Sequence, residues 1–279
     1  YEWQGFAPFS SLPHSENPSA GYLCTANHRT VEKNYPLHMS SSWYNQERAQ
    51  RLEQVLSTTK NATVDHMKKL QNDRYSTMAR KVQETLFSTH RAAFIQERID
   101  AMKPVHKRNA NRALHMLHPD RFDCVMEKSS PAAALMGALY HAFTRAAFLD
   151  ELGPEDSLHW EAFIQASMTS YAATDHLLVY RESSVFFDNI NTPVMENKYD
   201  ILAQSLNDAY TLCRKEMGVD EEKWKWGTLH TYNWQHDISK KTGLLKGYLD
   251  RGPFPAGGDV HTVNVAGFTW GKNFDVWMI

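Results

Sequence analysis

The sequence predicts an α+β fold that is mainly α in this segment, with a helical middle flanked by strands. Apolar residues recur at the spacing of one helix face from about residue 42 to Gly218, whereas proline and glycine interrupt both ends. Short apolar runs typical of strands lie inside those two ends. We therefore divide the chain into a strand and turn segment (1–40), a helical domain (41–250) and a turn-rich loop with strands (251–279).

Polar residues mark the element boundaries in the first quarter of the chain. The apolar residues 21–26 are predicted to form one short strand, which ends at Asn27. Ser42 is the expected N-cap of the first helix. Thr63 is the expected N-cap of the second, with Asp65 in the first turn, where the helix dipole favours an acid.

The next stretch predicts one long helix followed by a short one. Helical periodicity runs through residues 82–99 as far as Met102. Pro104 marks a break, because proline lacks the N–H that a helix interior requires. A short helix is then expected over residues 110–116.

Ser130 and Pro131 begin the helix that we expect at the centre of the core. Serine as N-cap followed by proline at the first helical position is a typical start, and Gly153 marks the end. Its apolar residues occur almost all round, which is typical of a buried helix. A further helix is predicted over residues 160–171, and residues 177–187 fit either a helix or a strand.

The last thirty residues combine turn formers with apolar runs. A rigid loop is predicted from the glycines and prolines of this region, which are Gly252, Pro253, Pro255, Gly257 and Gly258. Residues 262–265 and 274–279 are then expected to be strands. With strands only at its edges, the segment looks like a helical insertion carried by a sheet that lies mostly elsewhere.

Composition excludes several classes of function. The 30 Lys and Arg residues nearly balance the 32 Asp and Glu residues, so the net charge is −2. Nucleic acid is therefore not an expected partner, because phosphate binding needs clustered excess basic charge. No apolar run is long enough to span a bilayer, and no membrane partner is expected.

Cysteine and histidine do not form a recognisable metal pattern. The three cysteines lack a CxxC pair, and we expect inert thiols at Cys24, Cys124 and Cys213. His115 and His118 lie three residues apart, as two zinc ligands could, but a third ligand with suitable spacing is missing. We expect packing or surface roles for the histidines and no bound metal.

Taken one at a time, the remaining features have ordinary explanations. The chain has no GxSxG, P-loop or GxGxxG motif. Residues 224–230, with two tryptophans, could form an aromatic ligand platform, but packing at one end of the helices is the commoner role. Asn27 could simply close a turn, and Arg48 could be a solvated partner of a nearby acid.

Taken together, these features resemble the penicillin acylase (penicillin amidase) family of N-terminal nucleophile hydrolases. The matching positions, in chain order, are Trp3-Gln4-Gly5-Phe6-Ala7-Pro8-Phe9, Leu12-Pro13, Asn17-Pro18, Gly21-Tyr22, Thr25-Ala26-Asn27, Tyr35-Pro36, Trp43, Arg48-Ala49, Arg51-Leu52, Ser130-Pro131-Ala132-Ala133, Trp226-Gly227-Thr228-Leu229-His230, Gly252-Pro253-Phe254-Pro255-Ala256-Gly257-Gly258-Asp259 and Thr262-Val263-Asn264. Their order and spacing match the latter part of the family's β chain over nearly the whole segment. The resemblance implies that this segment belongs to a four-layer αββα sandwich.

The resemblance also implies a chemistry. In the family, a β-chain serine exposed as a new N-terminus attacks an acyl amide, and its own α-amino group acts as the base. Asn27 matches the asparagine whose side-chain amide stabilises the oxyanion. Arg48 matches an arginine that orients the nucleophile's surroundings. Tyr1 cannot be the nucleophile, so the reactive serine is expected outside this chain.

Five further residues match family motifs that we interpret as structural, namely His230, Gly257, Gly258, Asp259 and Asn264. The alternative for His230 is a part in the reaction. The two glycines are expected to adopt unusual backbone angles, and the polar side chains to satisfy buried amides. No cofactor is expected. Calcium occurs in some members of the family, but its aspartate has no counterpart in the sequence Leu37-His38-Met39.

The expected partners are the missing α chain, the N-terminal part of the β chain and a small acyl amide. Because both ends look unlike natural termini, we expect a piece of a longer polypeptide that is inactive alone. The family's substrates include β-lactams and acyl-homoserine lactones, and this segment does not choose among them. Family members are usually periplasmic or extracellular. The alternative is a non-catalytic helical interaction module that retains the family's packing motifs.

Overall fold

The computed structural model describes residue 2 and residues 5–41, 43–243, 245–267 and 274–275. Within these ranges the chain forms twelve α-helices and three short strands, so the prediction of a mainly α segment is confirmed. The helices are α1 (Glu47–Thr58), α2 (Val64–Gln71), α3 (Thr77–Phe87), α4 (Thr89–Asp100), α5 (Pro104–Leu117), α6 (Pro131–Leu152), α7 (Leu158–Gln165), α8 (Ser167–Asp175), α9 (Lys198–Met217), α10 (Trp226–Leu229), α11 (Asp237–Thr242) and α12 (Lys246–Leu249). The strands are β1 (His230–Trp234), β2 (Arg251–Pro255) and β3 (Phe274–Asp275).

Helix α6 is the centre of the core, as its sequence predicted. None of its residues is exposed, and α9 packs along it, with α4 and α5 against α9. The Ser130 side chain accepts a hydrogen bond from the Ala133 N–H, which confirms it as the N-cap. In the described part of the chain, no helix combines the length and apolar character needed to cross a bilayer.

For the other helices, the sequence predicted some starting residues correctly and others incorrectly. Thr63 caps α2 and accepts from the His66 N–H, as predicted. The first helix begins only at Glu47, and Ser42 lies outside the described residues. The predicted break at Pro104 is correct, but α5 begins at that proline itself because the first helical position needs no N–H donor.

Two predicted helices are each divided in two. The long helix through residues 82–99 consists of α3 and α4, which are separated at Ser88, whose backbone is extended. The helix predicted over residues 160–171 consists of α7 and α8, which meet at Ala166. The ambiguous residues 177–187 contain the end of a π-helical turn, His176–Tyr180, and a 3₁₀ turn, Val185–Phe187.

The strand predictions were largely wrong. Residues 21–26 form no strand, since no described segment pairs with them in a ladder, and residues 262–265 form a hydrogen-bonded turn instead. Residues 251–255, predicted as loop, are strand β2. Its two prolines are tolerated because β2 is an edge strand in the order β2-β1-β3. Of the predicted strand 274–279, only residues 274–275 are described, and they pair parallel to β1.

Candidate active site

Asn27 lies in a turn twenty residues before helix α1. Its backbone is left-handed, with φ of 61°, a conformation that asparagine tolerates better than most residues. Its carbonyl oxygen accepts a hydrogen bond of 3.1 Å from the Tyr44 N–H. Ala26 is buried, whereas Asn27 is exposed. The turn therefore presents the Asn27 side chain on the surface of the described chain.

Arg48 fixes the orientation of that side chain. One guanidinium nitrogen, Nη2, donates to Asn27 Oδ1 at 2.8 Å and to the Ala26 carbonyl at 3.0 Å. Because a guanidinium has only donors, the amide oxygen must face it and the Nδ2 group must face away. No bonded acceptor of Nδ2 occurs in the described part of the chain. The predicted pair therefore lies together, with a neutral N–H donor directed outward.

Buried charges lie directly behind Arg48. Glu47 is 1 % exposed, and its Oε1 accepts from Lys81 Nζ at 2.9 Å and from the Tyr180 hydroxyl at 2.8 Å. Burial opposes ionisation of Glu47, but the positive charges of His261 and Lys81 and the hydrogen bond from Lys81 outweigh it and lower its pKa. Burial also lowers the pKa of Arg48, whose guanidinium lies 5.7 Å from the Tyr44 ring centre.

A second buried carboxylate, that of Asp175, links the motif around Asp259 to the residues next to Arg48. Asp175 Oδ2 accepts from His261 Nε2 at 2.9 Å and from Asn45 Nδ2 at 2.5 Å. Sequence reasoning missed Glu47, Asp175 and His261. Only the position of His261, two residues after Asp259 in a recognised motif, could have drawn attention to it.

The Gly257-Gly258 turn requires glycine at both positions. A Cβ atom on Gly258, whose φ is +80°, would lie 2.4 Å from the Asn264 carbonyl oxygen. A Cβ on Gly257 would lie 2.9 Å from both the Met126 carbonyl oxygen and Arg74 Cδ. The predicted unusual angle therefore occurs at Gly258, whereas Gly257 permits close packing.

The polar residues of the same motifs satisfy the backbone. Asp259 Oδ1 accepts from the His261 N–H at 2.7 Å, and burial raises the pKa of Asp259. Asn264 Nδ2 donates to the Gln71 carbonyl at 3.3 Å. The ring nitrogens of His230 face the carbonyls of Ala256 (3.2 Å) and Ala266 (2.9 Å). Burial lowers the pKa of His230 to about 4, so its ring is neutral.

His118, one of the two histidines considered as zinc ligands, has other contacts, and so does His38. His118 lies 3.3 Å from Asp120 and packs edge-on against Phe87. His38 Nε2 lies 3.1 Å from the Ser41 hydroxyl. In the ranges that the structure describes, no three His, Cys, Asp or Glu side chains converge on a site for a metal ion.

Comparison with known proteins identifies the family. The family model for penicillin amidase matches residues 1–279. The chain belongs to the penicillin amidase family. It is 41% identical over 291 residues to the acyl-homoserine lactone acylase QuiP of Pseudomonas aeruginosa, a match that covers 100% of this chain and 34% of that protein. The acylases QuiP of Pseudomonas syringae pv. syringae and Pseudomonas putida are 36% and 35% identical, with 33% of each protein covered.

The chain spans about a third of the length of the curated relatives it matches. Penicillin amidase membership confirms the resemblance that the sequence motifs carried. The roles of Asn27, Arg48, His230, Gly257, Gly258, Asp259 and Asn264 in the reaction stay predictions.

Proposed function

We propose that the complete protein hydrolyses the amide bond of N-acyl-homoserine lactones, and that this chain supplies Asn27 as an oxyanion donor and Arg48 as the residue that orients it. The observation that supports this most directly is the 2.8 Å hydrogen bond from Arg48 to Asn27 Oδ1, which directs the Nδ2 donor outward. The names of the relatives, acyl-homoserine lactone acylases, support the substrate class.

The proposed reaction begins with a serine outside this chain. Its hydroxyl attacks the amide carbonyl while its own α-amino group takes the proton. Negative charge then develops on the carbonyl oxygen, and Asn27 Nδ2 donates a hydrogen bond to it. On collapse the C–N bond breaks, the α-ammonium group returns its proton to the leaving nitrogen, and homoserine lactone departs as the free amine. The acyl-enzyme that remains is hydrolysed by water. Asn27 suits this role because an amide keeps its donor at every pH at which the enzyme works.

The partners and location belong to the same proposal. The remaining α chain and the N-terminal part of the β chain supply the nucleophile and much of the acyl pocket. The complete protein is proposed to be periplasmic or extracellular, by analogy with its family.

The test removes the Asn27 donor in the complete processed protein. Asn27→Ala and Asn27→Asp should each lower kcat by about a hundredfold to a thousandfold, as loss of one oxyanion donor does elsewhere, with little change in KM. Release of homoserine lactone from an N-acyl-homoserine lactone is measured by chromatography. Asn27→Asp is the sharper variant, because its carboxylate can still accept from Arg48 but cannot donate.

Asn61 provides a matched control. It is also an exposed asparagine with left-handed backbone, φ of 52°, and it lies between α1 and α2. Asn61→Ala carries the same backbone penalty and should leave kcat unchanged. An Asn27→Asp enzyme with wild-type kcat would remove Asn27 from the mechanism, and no release of homoserine lactone by the wild type would refute the substrate class.

A further inference from the structure

The start of helix α1 is not fixed by its own cap. Gln46, the N-cap residue, already has helical backbone angles and makes no side-chain capping bond. An N-cap usually satisfies the first helical N–H groups and sets where the helix begins. The position of Arg48, in the first turn of α1, therefore depends on contacts with other parts of the chain.

Asn45 makes one such contact. Its Nδ2 donates to Asp175 Oδ2 at 2.5 Å, which joins two residues 130 positions apart. Asp175 ends helix α8 and is 1 % exposed. A hydrogen bond from an amide to a buried carboxylate is of the charge-assisted kind, which is about twice as strong as a neutral one.

Asp175 is itself held in place by the core. The Tyr140 hydroxyl, from α6, donates to Asp175 Oδ1 at 2.6 Å, and His261 Nε2 lies 2.9 Å from Oδ2. Burial alone would lower the pKa of His261, but Asp175, together with Asp259 and Glu47, raises it to about 9. At neutral pH a cationic imidazole therefore balances the Asp175 carboxylate.

The residue directly before Arg48 is fixed as well. Glu47 is bound to Lys81 of α3 and to Tyr180. Tyr44 and Arg48 flank these two fixed residues, and in the described part of the chain the Tyr44 N–H and the Arg48 guanidinium hold Asn27. The segment 44–48 thus connects the exposed donor to two buried carboxylates.

We propose that Asp175 is a positioning residue for amide hydrolysis, which acts through its hydrogen bond to Asn45 to hold Arg48 and Asn27 in place. This inference rests on the proposed function, because it assigns the purpose of the positioning to the Asn27 donor. A displacement of about 1 Å in a group that stabilises the transition state costs as much as a hundredfold in rate. The Asn45 contact should therefore affect kcat more than KM.

The experiment compares Asn45→Ala with Asn109→Ala in the complete processed protein. Asn109 is another asparagine with side-chain partners, which bonds Asn207 and Thr211, both at 3.2 Å, in the α5–α9 interface. Asn45→Ala should lower kcat about tenfold with KM within twofold. It should also speed hydrogen exchange at the Tyr44 amide, measured by mass spectrometry, whereas Asn109→Ala should change neither quantity.

A second variant supplies a pH readout that a purely structural contact would not give. Asn45→Asp places a second carboxylate against Asp175, and two such groups repel unless they share a proton. Its kcat relative to wild type should lie below that of Asn45→Ala at pH 8 and should rise as the pH falls. Equal, pH-independent ratios for the two variants would overturn the proposal.

The remaining outcomes also decide the question. Unchanged kcat in Asn45→Ala overturns the proposal, as does an equal loss in Asn109→Ala, which would indicate general destabilisation. A fall in kcat with unchanged Tyr44 exchange overturns the proposed route. If Asn27→Ala has wild-type kcat, the proposed function fails separately from this result, because the exchange measurement still reports whether Asn45 holds the segment.

Discussion

Gly137→Ala tests whether Trp226 is as tightly held as the structure indicates. Gly137 lies in the central helix α6 beneath the Trp226 ring. A Cβ atom there would lie 2.4 Å from Trp226 Cζ3 and 2.5 Å from Cη2. Carbon atoms in good contact are about 3.5–4.0 Å apart, so the ring must move by about 1 Å.

Trp226 has little room for that movement. The side chain is completely buried, it stacks on His230 with ring centres 4.4 Å apart, and its Nε1 donates to the Gly258 carbonyl at 2.9 Å. Overpacking of this kind costs about 3 kcal/mol at the upper end of its usual range. Alanine recovers about 1 kcal/mol of helix propensity. The expected net destabilisation is therefore about 2 kcal/mol.

Thermal unfolding of the complete protein measures this change. The complete protein is about three times as long as this chain, and the entropy of unfolding grows with length, so the midpoint should fall by only about 1 °C in Gly137→Ala. Gly247→Ala is the control, because no atom lies within 4 Å of its Cβ position and its midpoint should not fall. Trp226→Phe removes Cζ3 and Cη2, the atoms that the added Cβ would contact. In that background Gly137→Ala should therefore destabilise the fold less. Equal midpoints for Gly137→Ala and wild type, or no coupling in the double variant, would refute the packing argument.

Two further predictions concern buried polar groups. Because Asp175 and the other nearby carboxylates raise the pKa of His261 from 6.5 to about 9, its stabilisation of about 3 kcal/mol should be complete below pH 6.5 and be lost as the pH rises through 9. The difference in thermal midpoint between wild type and His261→Gln should therefore shrink from pH 6 to pH 10, and a constant difference would contradict the assignment. Gln83 Nε2 donates to two backbone carbonyls at 2.8 and 2.9 Å, so Gln83→Leu should destabilise by about 2–4 kcal/mol. The exposed Gln204→Leu should change stability by less than about 0.5 kcal/mol in the same denaturation experiment, and equal effects would count against the buried bonds.

The sequence predicted those helices whose boundaries depend on neighbouring residues. Thr63 and Ser130 were identified as N-caps because a cap bonds an N–H only three residues away. The burial of α6 also followed from its own composition, since apolar residues occur on every side. A short window of sequence contains all the residues that determine these features.

Features that depend on distant partners could not be predicted in this way. Residues 21–26 have the composition of a strand but no neighbouring strand in the described chain, whereas residues 251–255 pair with β1 despite two prolines. The break between α3 and α4 occurs at Ser88, where no proline or glycine indicates the end of a helix. The two strand outcomes follow from the presence or absence of a pairing partner.

The candidate site likewise contains residues that the sequence could identify and residues that it could not. Asn27 and Arg48 were identified from a family pattern, and the structure places them in direct contact. Asp175 carries no such signal, because it stands in a helix without a motif and its partners, Asn45 and His261, are 130 and 86 positions away. Only the fold brings these residues together.

The arrangement of exposed and buried groups explains how one amide can act as a fixed donor. The proposed role of Asn27 as an oxyanion donor requires that the substrate oxygen can reach its side chain, and Asn27 is exposed. An exposed side chain on a turn is ordinarily mobile, and mobility would weaken its stabilisation of the transition state. The guanidinium of Arg48 removes that freedom at the side chain, and the Tyr44 N–H removes it at the backbone. Arg48 and Tyr44 belong to the segment 44–48, in which the side chains of Asn45 and Glu47 bond groups in the interior. These bonds hold the segment in place while the Asn27 side chain stays accessible.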